Sequence, residues 1–211
     1  MTDPEILAVL QRFAKVAYPI IRESFRVDSC IASTAITINV LSHHGIKAIP
    51  FPCSVFLMNA KFVELVERLR RKPTPQEFDE YGAWTVGVGL APPGVKMVGH
   101  LVAMVEDKYL VDASLTQGNR PAKQIEVPPV LVARIPRNFR RGKETFKVQG
   151  LLGTVARYES QFKNKVWMQS RNWTDRSDQV YSVNKILAAM DPVSLLGHYL
   201  KVGHSSGESA P

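Results

Sequence analysis

Only two cysteines, Cys30 and Cys53, occur in the 211 residues. They allow one bridge at most, which excludes a disulfide-built secreted scaffold, and they are too few for a cysteine-based structural zinc site. Long apolar runs are missing too: Lys, Asp, His or Pro interrupts every patch well short of the roughly 20 residues that span a bilayer. The stretch MTDPEILAVLQRFAKVAYP has no basic start, unbroken apolar segment or small-residue cleavage site, so no secretory signal is visible. These absences predict a protein of the cytoplasm with reduced thiols and no membrane span. Adjacent His43 and His44 have no Asp, Glu or Cys at ligand spacing, and neither a metal nor a cofactor is expected. Gly87-Val88-Gly89 falls inside a strand-like run, away from any strand-turn-helix setting; it reads as a bulge or a close approach of backbones, not a phosphate loop.

Acidic residues are in short supply: 19 against 27 Lys and Arg, for a net charge of +8. Much of the excess lies in Arg134, Arg137, Arg140, Arg141, Lys143 and Lys147, with only Glu144 among them. This run reads as a solvated connector that can meet an anionic partner or guide an acidic substrate. Trp167 and Trp173, interleaved with Lys163, Lys165, Arg171 and Arg176, read as core or rim aromatics. Nucleic acid is therefore not the expected partner.

What is present is a clear order of elements. Thr2-Asp3-Pro4 starts a helix whose apolar residues run from Ile6 to Ile21, with Pro19 expected to kink or end it. A second helix, capped by Asp28 or Ser29, runs from Cys30 to Gly45. IKAIPFPCSVFLM reads as a strand that Pro50 and Pro52 restrict to an edge or an irregular entry. Asn59 caps a third helix and Pro75 begins a short fourth one. Then come AWTVGVGL, GHLVAMVE and YLVDASL as strands, a proline-rich connector with one strand at PVLVARI, and a hairpin of TFKVQGL and TVARYES. Residues 178–201 read as a last helix, interrupted at Asp191-Pro192. The layout is α+β: a single domain over 1–202 and a disordered tail over 203–211.

Chemistry concentrates on three residues. Cys30 occupies the first turn of a helix, where unpaired N–H groups and the helix dipole favour a thiolate. His100 and Asp112 supply a base and an acid to orient it, and both interrupt apolar strands where an unpaired polar group is costly. A strict two-residue turn at Asp107-Lys108 would pair Val105 with Leu110 and put His100 and Asp112 on opposite faces. An extra turn residue or a bulge is therefore predicted in this hairpin. Cys53, between Pro52 and Ser54 in an apolar run, reads as a packed thiol.

DSCIASTAITINVLSHHGIKA resembles the nucleophile helix of the papain-like transglutaminase-core superfamily, and GHLVAMVEDKYLVDASLTQ resembles its His and Asp strands. The order cysteine, histidine, aspartate is similar to that of arylamine N-acetyltransferases and transglutaminase-like proteases, over about residues 28 to 117. Ile31 stands where transglutaminases carry Trp, and Val27-Asp28-Ser29 where the acetyltransferases carry Arg-Gly-Gly. The resemblance implies a papain-like, transglutaminase-like fold and a Cys30-His100-Asp112 triad acting through a thioester on a peptide, amide or acyl-thioester substrate. Hydrolase and acyltransferase both remain open, as does the oligomeric state. The alternative is a catalytically silent member of this fold that binds a protein or an anionic ligand.

Overall fold

The computed structural model describes residues 1–25, 29–87, 99–136, 139 and 145–191. The cap at Asp28, the end of the AWTVGVGL strand, most of the basic run and the expectations for residues 192–211 lie outside them. Helix α1 (Asp3–Ser24) begins where Glu5 folds back to accept the Thr2 N–H at 2.6 Å. Pro19 does not end it. Ile20 and Ile21, beyond the proline, are buried in the core, so apolar packing holds the last turn despite the missing N–H. Helix α2 (Cys30–His43) closes through His44 onto Gly45, whose φ of 69° is the left-handed stop the sequence signalled.

Strand β1 (Ala48–Met58) lies inside the sheet, not at its edge. The prolines are tolerated because its two halves have different neighbours. The β3 partners cover Ala48 to Cys53 and the β7 partners cover Cys53 to Met58, so the side of β1 facing β7 is unladdered at Pro50 and Pro52. Pro52 turns its backbone toward that side, where its carbonyl accepts the Gln161 N–H.

Helix α3 (Ala60–Arg68) is capped by Asn59, which accepts the Phe62 N–H at 2.8 Å. Helix α4 (Pro75–Tyr81) has a Thr74–Glu77 capping box and ends at left-handed Gly82. There follow β2 (Ala83–Val86), β3 (His100–Val105), β4 (Tyr109–Asp112), β5 (Leu131–Arg134), β6 (Thr145–Gln149), β7 (Val155–Ser160), α5 (Arg171–Thr174) and α6 (Ser177–Met190).

The strands form one antiparallel, nearly barrel-shaped sheet in the order β5-β4-β3-β1-β7-β6, with β2 also paired to β1. Side-chain alternation divides its surroundings into two cores. Ala103, Val105, Val111 and Ala113 face α1, α2 and α6, while Phe51, Cys53, Val102, Met104, Leu110, Phe146 and Tyr158 fill the other side. The architecture is α+β, as the order of elements predicted. Among the described residues no helix is long and apolar enough to cross a membrane.

Candidate active site

Cys30 is the first residue of α2, where backbone N–H groups have no partner earlier in the helix. One turn later Thr34 donates its hydroxyl to the Leu101 carbonyl at 2.8 Å. That bond ties the thiol-bearing end of α2 to β3 one residue from His100. Leu101 and Trp167 pack with Cys30 in a small apolar cluster, and Trp173 meets Trp167 edge-on at 4.5 Å. Cys30 is 8% exposed.

The β3–β4 hairpin contains the predicted irregularity. Its loop is three residues, Glu106 to Lys108, with Glu106 and Asp107 at φ 48° and 51°, and Val105 pairs with Tyr109 instead of Leu110. The register sum is therefore even, and His100 and Asp112 share the inner face. Both are 0% exposed, and His100 Nε2 lies 2.7 Å from Asp112 Oδ2. Asp112 has every acceptor position served: Tyr158 donates its hydroxyl to Oδ2 at 2.9 Å, and Ser114 donates its N–H to Oδ1 at 3.1 Å and its hydroxyl at 3.4 Å. Cys30 completes the constellation, close enough to the His100 ring to act on its proton affinity. All three sequence-selected residues thus meet. Searches of family models, curated proteins and solved structures match nothing.

Burial disfavours a charged His100 ring. The Asp112 charge and hydrogen bond, joined by the neighbouring Cys30, outweigh it and raise the pKa. Cys53 is fully buried; burial, then the Asp112 and Cys30 charges, push its thiol well up, which suits the packed role expected of it.

Four contributors escaped the sequence reading. Ser114, two residues beyond Asp112, carried a usable signal, since such a residue commonly bonds back to an Asp side chain. Trp167 was placed in a core or rim but not beside the thiol. Tyr158 looked like any strand aromatic, and nothing local reveals that its hydroxyl reaches a residue 46 positions away. Gln117 lies 2.9 Å from His100 Nδ1 and had no periodic signature. Among the described residues no group of three His, Cys, Asp or Glu is placed to hold a metal ion.

Proposed function

We propose that the protein is a cysteine-dependent acyl-transfer enzyme of papain-like, transglutaminase-like fold, with Cys30 as nucleophile, His100 as acid-base and Asp112 as the group that orients the ring. The observation that carries this reading is one imidazole bonded to a buried carboxylate and lying beside a cysteine at a helix start. A histidine and an aspartate so placed are costly to bury for packing alone. In the forward step Cys30 loses its proton to His100 and its sulfur bonds to a carbonyl carbon, while the carbonyl π pair moves onto oxygen near the Cys30 N–H. Collapse expels the leaving group, which takes the proton from His100 and leaves a thioester. Water then gives a hydrolase and an amine a transferase; peptides, amides and acyl thioesters are the substrate classes proposed.

Intact-mass and peptide-map measurements after exposure to iodoacetamide or p-nitrophenyl acetate test the reading. A single adduct on Cys30 is expected with each, with Cys53 unmodified. His100→Ala should slow acetylation by about 10²–10⁴-fold, the range typical of general acid-base catalysis. Equal rates in the wild-type and His100→Ala proteins overturn the assignment.

A further inference from the structure

The segment leaving β4 touches the His100 ring twice: Asp112 engages Nε2, and Gln117 returns to place its side-chain nitrogen 2.9 Å from Nδ1. The return is structurally supported. The Ser114 carbonyl accepts the Gln117 N–H at 3.2 Å, opening the tight turn Leu115–Gly118. Gly118 closes that turn where a Cβ would lie 2.4 Å from Leu57 Cδ1. Arg120 donates to the Gln117 carbonyl at 3.0 Å while its guanidinium sits 3.9 Å over the Trp84 ring.

With Nε2 taken by Asp112, Nδ1 is the ring nitrogen left for the Cys30 thiol, yet Gln117 already stands there. An amide N–H donating to Nδ1 favours the uncharged ring and leaves the proton on sulfur. Asp112 and Cys30 pull toward the charged ring. These opposing demands meet on a single atom.

Resting on the acyl-transfer reading, we propose that Gln117 is an exchangeable donor: it restrains Nδ1 in the free enzyme and moves to the carbonyl oxygen of a bound acyl donor. The move frees Nδ1 to accept the thiol proton as the S–C bond forms, and the carbonyl π pair shifts onto an oxygen that now receives the Gln117 amide and the Cys30 N–H. Substrate thereby switches on its own nucleophile.

Two probes read the two halves of this exchange. Iodoacetamide needs only the thiolate, since iodide leaves without an oxyanion forming; p-nitrophenyl acetate needs the oxyanion as well. Gln117→Met keeps the side-chain length and removes the amide; Gln117→Ala is the second variant, and thermal unfolding identifies which retains the fold. Alkylation of Cys30 at neutral pH is expected to rise several-fold, while acetylation falls by about 10²–10³-fold, the usual loss for one oxyanion donor. Alkylation that stays level or falls, or acetylation that holds, overturns the proposal. Failure of the parent reading looks different: wild-type protein then gives no acetyl adduct on Cys30.

Discussion

Asp112→Ala is expected to destabilise the protein by about 3–5 kcal/mol, the cost of breaking a buried charged pair by removing one partner. The reason is the number of groups left behind. The His100 ring, the Tyr158 hydroxyl and the Ser114 N–H and hydroxyl all point at the lost carboxylate, and both His100 and Tyr158 are 0% exposed. For a chain of this size the loss corresponds to a drop in melting temperature of about 6–20 °C, readable by calorimetry. Asp112→Asn separates packing from chemistry. It keeps the volume but offers one acceptor oxygen instead of two, so the ring loses its enforced tautomer. Cys30 acetylation by p-nitrophenyl acetate should then fall on the order of 10⁴-fold, the scale seen when the orienting acid of a triad is neutralised. Near wild-type acetylation in Asp112→Asn removes Asp112 from the mechanism.

Gly87→Ala is the second large effect, although Gly87 touches none of the reacting atoms. Strands β2 and β3 both pair with β1, and Gly87 and Gly99 bring their ends together. A Cβ at Gly87 would lie 2.4 Å from the Gly99 carbonyl carbon and 2.5 Å from the His100 nitrogen, and the φ of 74° is itself left-handed. The conformation costs about 1–2 kcal/mol for a residue with a Cβ, and forced overpacking about 1–3 kcal/mol more. Melting is expected to fall by about 4–20 °C. The atoms in conflict are backbone, so the strain is relieved by moving the start of β3 and with it the ring. Acetylation of Cys30 should therefore fall even below the melting range. A variant that melts lower but acetylates normally would show that His100 does not depend on this approach.

Much of this was readable in the sequence because the signals were local. The cap at Asn59, the helix start at Pro75 and the stop at Gly45 depend on neighbours a few residues apart, and the structure places them as expected. Cys30, His100 and Asp112 were legible as residue types out of place, a thiol at a helix start and polar groups in apolar strands. The parity of the β3–β4 hairpin turned that suspicion into a geometric requirement, which the three-residue loop meets. Where the reading failed, distance in the chain decided. Pro50 and Pro52 suggested an edge because propensity cannot register that β1 is flanked on different halves by β3 and β7. Pro19 suggested an end because packing of Ile20 and Ile21 against other elements is invisible locally. Tyr158 and Gln117 acquire meaning only once the chain has folded around the ring.

The His100 ring, the carboxylate on its Nε2 and the amide on its Nδ1 come from one continuous stretch, His100 through Gln117, whereas the sulfur arrives on a separate helix tied to it by the Thr34 hydroxyl. On the acyl-transfer reading, proton handling rests on this stretch, braced by Tyr158 from β7, and the nucleophile joins it from elsewhere in the chain. If that reading holds, exchanging the sulfur alone would silence the chemistry while the buried histidine–carboxylate pair that shapes the surrounding fold stays intact.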